Sequence, residues 1–120
     1  ALTQTSTPQE KALIYRNLGR AYRQTGKLGA AIGSWNRAIA IYQADNHPDS
    51  QTALAALQTQ VAQAYNDQGQ HRQAISLLEQ AIALTEKYRD LPTEVIARAA
   101  LGKAYWGAGD YHRAEQAHLE

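Results

Sequence analysis

One spacing rule, written three times, bounds what this chain can fold into. Ala-Tyr occurs at Ala21-Tyr22, Ala64-Tyr65 and Ala104-Tyr105, each followed by Gly four residues after the Tyr (Gly26, Gly69, Gly109) and Ala nine after it (Ala31, Ala74, Ala114). The first two copies continue to a bulky apolar residue at thirteen (Trp35, Leu78) and to Ala-Ile at sixteen and seventeen (Ala38-Ile39, Ala81-Ile82), whereas the third reaches His118. Self-similarity at a fixed long period is the mark of an array of supersecondary units.

The spacing has a mechanical meaning. Gly four residues beyond a helical Tyr is placed where a helix ends in a left-handed turn. Apolar residues at helical spacing on both sides of that Gly describe two amphipathic helices folded into an antiparallel hairpin. Gly19, Ala62 and Gly102, three residues before each Tyr, leave room for a neighbouring helix to approach. Ala31 and Ala74 then sit at the tight crossing, and Trp35 is a core residue facing Leu18 and Tyr22.

Boundary signals agree. Thr7-Pro8-Gln9-Glu10 joins a capping residue, Pro at the first helical position and an acid three residues after the cap, so a first helix is expected from Pro8 to about Thr25. The following helices are expected at about Leu28 to Ala44, Ser50 to Gln68, Gln70 to Tyr88 and Pro92 to Ala108, with a sixth starting near Tyr111. Asp45 to Ser50 and Arg89 to Pro92 are the turn clusters between hairpins. The expectation is a single all-α domain over 1–120, with repeats at about 8–45 and 50–89 and a partial repeat at 92–120. Only about ten residues remain for the last helix and no polar capping helix follows, so a fragment of a longer array is expected, its uncapped C-terminal face able to self-associate.

Composition narrows the function classes. The sequence contains no Cys, which excludes a disulfide framework, a thiol nucleophile and Cys-containing zinc sites. Apolar runs are far short of the roughly 20 residues that cross a bilayer, so a soluble protein is expected, cytoplasmic ahead of secreted or periplasmic. The chain begins at Ala1 and contains no Met, which suggests a mature form, fragment or edited sequence. Net charge is +1, but residues 1–44 carry six basic side chains against Glu10 alone, and residues 45–86 carry Arg72 against five acids. That is a dipole along the chain and not a uniformly basic patch.

Tyr15, Leu18, Gly19, Tyr22, Gly26, Ala31, Trp35 and Ala38, followed by Tyr65, Gly69, Ala74 and Ala81 and by Tyr105, Gly109 and Ala114, resemble the signature of tetratricopeptide repeats. Gln58 and Arg98 depart from it at the first aromatic position, and Ala62 at the first Gly. The tyrosines lie 43 and 40 residues apart, longer than the usual period of about 34. This spacing, with His47-Pro48-Asp49 ahead of a first helix, is similar to the kinesin-light-chain subclass and to long repeats of bacterial, notably cyanobacterial, multidomain proteins. The resemblance implies a right-handed superhelix of antiparallel helical hairpins, an α-α solenoid of about three units with the third truncated.

It also implies a concave face lined by the first helix of each hairpin and able to hold a peptide. Carried over by offset from each Tyr, the lining positions are Leu13, Arg16, Arg20, Arg23 and Gln24; then Ala56, Thr59, Gln63, Asn66 and Asp67; then Ile96, Ala99, Lys103, Trp106 and Gly107. Arg forks bind carboxylates bidentately and amides satisfy a peptide backbone, so Arg16, Arg20, Arg23, Gln24, Gln63, Asn66, Lys103 and Trp106 are the candidate ligand-binding residues, with Trp106 as aromatic anchor. The bland alternative is a solvated arginine stripe whose stems cover apolar surface; against it, no acid stands at helical spacing to neutralise the three arginines. Relatives that clamp acidic chaperone tails use basic and Asn side chains where this chain has Arg16, Arg20, Gln60, Ile96 and Ala100. Ile96 and Ala100 cannot grip a carboxylate, which argues against that partner.

No catalytic or metal chemistry is written in the chain. His112 and His118 are six apart, on different helical faces, His47 and His71 fall in expected turns, and no phosphate loop or nucleophile elbow appears. The expectation is therefore a noncatalytic, cofactor-free scaffold that binds a protein or peptide, acidic ones included, in its groove. Its rivals are a structural spacer without a ligand and nucleic-acid binding through the arginine stripe, the latter disfavoured by the negative middle segment.

Overall fold

The computed structural model describes residues 7–119, with side chains described to Gln116. Within that span the chain is six helices: α1 (Pro8–Gln24), α2 (Leu28–Gln43), α3 (Pro48–Asp67), α4 (His71–Tyr88), α5 (Leu91–Gly107) and α6 (Tyr111–Leu119). Consecutive helices pack as hairpins, and the hairpins stack through α2 on α3 and α4 on α5, with α3 also against α5. The result is an elongated body of 49 × 32 × 18 Å.

Each hairpin turn is the same device. Gly26, Gly69 and Gly109 hold φ of 81°, 78° and 85°, a region L-residues with a Cβ enter only at a cost. Lys27, Gln70 and Asp110 donate their backbone N–H to the carbonyls of Tyr22, Tyr65 and Tyr105 at 2.8 Å, and each Gly donates to Arg23, Asn66 or Trp106 at 3.0–3.1 Å. These are the paired bonds of a Schellman ending, which satisfies carbonyls a helix terminus would otherwise leave open. The four-residue gap from Tyr to Gly is the distance this motif requires.

The crossing inside the first hairpin rests on Gly19. A Cβ there would lie 2.3 Å from Trp35 Nε1. Trp35 is 2% exposed, and its indole N–H donates to the Arg16 carbonyl at 3.3 Å. Ala31, Ala38, Ala74, Ala81 and Ala114 are all buried, while Tyr15, Tyr22, Tyr65 and Tyr105 are half-buried against the two apolar clusters that make up the core. One cluster joins α1, α2 and α3, the other α3, α4 and α5.

Leu18 is 41% exposed, whereas Val61 and Leu101, its register equivalents, are buried against the preceding hairpins. Three local expectations need correction. The segment Asp45 to Ser50 is not all turn. Pro48 is already helical, because His47 caps α3 by accepting the Asp49 N–H on Nδ1 at 3.2 Å, and Pro suits the first helical position, where no N–H is needed. In the same way α5 opens at Leu91, with Asp90 accepting the Thr93 N–H at 3.3 Å. His71 is the first residue of α4 and not a loop residue.

Two substitutions at the first aromatic position are accommodated differently. Tyr15 takes the Arg37 guanidinium over its ring, 5.6 Å from the centroid. Gln58, in the same register, is 1% exposed; its Nε2 donates to Gln80 Oε1 at 3.1 Å, while its own Oε1 is buried without a partner. Arg98 bonds Glu86 at 2.9 Å and Glu94 at 3.3 Å.

The joint between the first two hairpins is polar. Asp45 accepts from Ser50 Oγ at 2.7 Å, Gln9 Nε2 at 2.8 Å and the His47 N–H at 3.0 Å. These bonds favour the ionised carboxylate and hold its pKa below the ordinary 3.8, the Ser50 hydroxyl acting most strongly.

Candidate functional site

The hairpin stack turns α1, α3 and α5 toward a common concavity. A cavity of about 460 Å³ there is lined by Arg23 from α1, Gln63, Asn66 and Asp67 from α3, and Val95, Ile96, Ala99, Ala100 and Lys103 from α5. A second hollow of about 230 Å³ lies toward the first hairpin, between Leu13, Arg16, Asn17, Arg20 and Gln60. Of the candidate residues, Arg23, Gln63, Asn66 and Lys103 therefore meet in one cavity, and Arg16 and Arg20 in the other.

Two candidates lie elsewhere. Trp106, 64% exposed, packs edge-on against Tyr111 of α6 with ring centroids 4.5 Å apart. Gln24 is exposed at the end of α1 and lines neither hollow. Thr59, carried over as a lining position, is buried with its hydroxyl donating to the Ala55 carbonyl at 2.9 Å.

The three arginines are not equivalent. Arg23 Nη2 lies 3.8 Å from Asp67 Oδ2 across the hairpin boundary, both side chains somewhat under half exposed. The acid absent at helical spacing is thus supplied from α3. Among the described residues, neither Arg16 nor Arg20 has a carboxylate within ion-pair distance.

Asn66 belongs to the floor and not to the open wall. It is 6% exposed; its amide N–H donates to the Ala100 carbonyl at 3.3 Å, leaving Oδ1 to take the Nδ1–H of His71 at 2.9 Å. The His71 ring lies against Gly107 so closely that a Cβ there would sit 2.3 Å from Nε2. His71, Asn66 and Gly107 therefore lock α3, α4 and α5 together under the cavity.

A further register, two of whose members are the chaperone-clamp positions Gln60 and Ala100, also contributes. Asn17, Gln60 and Ala100 stand five residues before each Tyr, and all three line one hollow or the other. The repeat alignment carries that signal, because adjacent residues on one helical face must share a groove. Val95 had no such signal, since its register equivalents Ala12 and Ala55 are buried.

Among the described residues no cluster of three or more His, Cys, Asp or Glu could hold a metal, and no helix is long and apolar enough to cross a membrane. The side chain of His118 lies outside the described residues.

Comparison with known proteins places this architecture. The N-terminal domain of stress-induced protein-1 (STI-1) from C. elegans superposes with a TM-score of 0.79, covering 96% of this chain and 84% of that one at 16% identity, a likeness of fold. The MamA protein gives 0.72 at 28% identity over 91% of this chain and 51% of its own. A putative kinesin light chain from Podosopora anserina, with nearly identical TPR-like repeats, gives 0.74 at 27% identity over 97% and 56%. The chain spans about half the length of these last two. No curated protein matches it. The family model described as tetratricopeptide repeat matches residues 53–120, more than half of the sequence, and with the Schellman-closed hairpins and stacked cores already seen, the chain belongs to the tetratricopeptide repeat family.

Proposed function

We propose that this chain is a noncatalytic scaffold whose concave face binds a segment of a partner protein. The family's fold is in general one for protein–protein interaction, and the finer reading rests on one observation: three successive first helices line a single cavity of about 460 Å³. A surface assembled from three hairpins suits an elongated ligand better than a compact small molecule. Its mixed lining of guanidinium, ammonium, amide and aliphatic groups suits a peptide, which carries backbone amides and side chains together. The reading takes 8–45 and 50–89 as full repeats and 92–120 as a partial one.

A peptide array probed with the chain tests it. Spots are expected for the parent sequence, and an Arg16→Glu/Arg20→Glu variant with an unchanged circular dichroism spectrum should lose them. A spot pattern unchanged both in that variant and in an Ile96→Asp variant of the larger-volume cavity would place binding away from the groove, and an array without spots would favour a spacer.

A further inference from the structure

The groove is graded along its length, and the grading specifies the chemistry of its occupant. Residues six, five and two before each conserved Tyr occupy equivalent positions on α1, α3 and α5. From the first hairpin to the third they run Arg16, Thr59, Ala99; Asn17, Gln60, Ala100; and Arg20, Gln63, Lys103. The first row passes from the Arg16 cation to the Ala99 methyl, its middle member Thr59 being buried beneath the groove; the second passes from amide to amide to methyl, and the third keeps a cation at both ends. Nine before the Tyr, Leu13 and Ile96 are apolar and more than half exposed at the two ends.

Two details sharpen the gradient. Arg23, between the ends, already faces Asp67 at 3.8 Å, so its charge is partly met from within. Arg16 and Arg20, four apart on one helical face, repel each other, and among the described residues no carboxylate lies within ion-pair distance of either. They share their hollow with the amides of Asn17 and Gln60, the donors that complete the coordination of a carboxylate. At the far end Ile96, Ala99 and Ala100 make an apolar wall, which the aliphatic stem of Lys103 extends while its ammonium reaches water.

We propose that the groove recognises a protein segment whose acidic and aliphatic side chains are segregated into two blocks, the carboxylates on Arg16 and Arg20 and the aliphatic block on Ile96, Ala99 and Ala100. A uniformly acidic tail would leave the apolar wall wet, and a uniformly aliphatic segment would leave two arginines unneutralised. The inference rests on the groove-binding reading above and adds the identity of the ligand to it.

The test uses labelled synthetic peptides of one composition, Glu and Leu with a Gly spacer, in three orders: acidic block first, aliphatic block first, and strictly alternating. A fourth peptide is all Glu. Binding to the 120-residue chain is followed by fluorescence anisotropy. One block peptide is expected to bind at least roughly tenfold more tightly than the alternating and all-Glu peptides, a difference a few well-placed contacts supply. Arg16→Gln/Arg20→Gln should weaken the block peptide roughly tenfold and flatten its salt dependence. Ile96→Asp, at an exposed position, should weaken it comparably, and Arg72→Gln, which lowers the net charge by the same one unit but on α4, should leave it within about twofold.

Equal binding of the alternating or all-Glu peptide, still lost in the groove variants, would overturn the two-block ligand and leave the groove reading standing. Binding that survives the arginine and Ile96 variants alike, or that no peptide shows while the chain remains helical, would overturn both.

Discussion

At the scale of single residues, the packing code and the binding candidates separate by burial. Trp35 carries the first core cluster, and Trp35→Ala should lower stability by about 3–5 kcal/mol, read as a fall in denaturant midpoint. The glycines give a sharper test because they differ in sign. Gly19→Ala drives a methyl into the Trp35 ring and should cost about 1–3 kcal/mol. Gly33→Ala, on an exposed face of α2 with nothing within 4 Å of the new methyl, should stabilise by about 0.5–1 kcal/mol, because it removes backbone freedom from the unfolded chain. Equal effects at the two sites would mean that helix propensity, and not the close approach of α1 and α2, explains Gly19. Gln58 Oε1 is the one buried side-chain oxygen or nitrogen without a hydrogen bond among the described residues. Gln58→Leu removes that orphan, and Gln80, being exposed, regains water. Near-neutral or improved stability is therefore expected, against the loss that a needed polar pair would show.

At the scale of elements, the hairpin turns were legible because they are local: a Schellman ending is fixed by residues within one turn of the Gly, so the Tyr-to-Gly spacing carried it in full. The start of α3 was less so. Asp45 to Ser50 has turn composition, yet Pro48 opens a helix because His47 supplies the cap and Asp45 gathers bonds from Gln9 on α1 and Ser50 on α3. Those partners are set by the stacking of two hairpins and are invisible in a window of sequence. The Asp45 joint makes a pH prediction whose sign follows from its lowered folded-state pKa. A carboxyl bound less tightly to its proton when folded contributes stability that is present above its unfolded pKa of about 3.8 and is lost as pH falls through the lower folded value. Thermal melts between pH 5 and the acid limit should therefore show a fall in Tm that Asp45→Asn blunts, with little difference in slope between the two proteins near neutrality. Parallel curves throughout would remove Asp45 as the source.

At the scale of the whole molecule, the core is two clusters that meet at α3, and the stack is covered unevenly. Which side chains stand free therefore differs between equivalent positions of the three hairpins. Leu18 keeps its repeat register but has no preceding hairpin above it among the described residues, Trp106 turns to Tyr111 on α6, and Arg23 finds Asp67 only once two hairpins are juxtaposed. The repeat alignment identified which faces converge; which side chains remain available there depends on neighbours one repeat away. Stability should be distributed in the same uneven way, since each repeat in a stack is held by its own packing and by its nearest neighbours. α6 has nine residues and Ala114 as its buried side chain among those described, whereas α3 has ten buried residues and touches both clusters. Native-state hydrogen exchange followed by mass spectrometry should show α6 exchanging first, α5 next, and α3 last, at free energies rising toward that of global unfolding. A single common exchange free energy from α1 to α6 would mean instead that the two clusters unfold as one unit, and that the joint at α3 couples the hairpins more strongly than their separate cores imply.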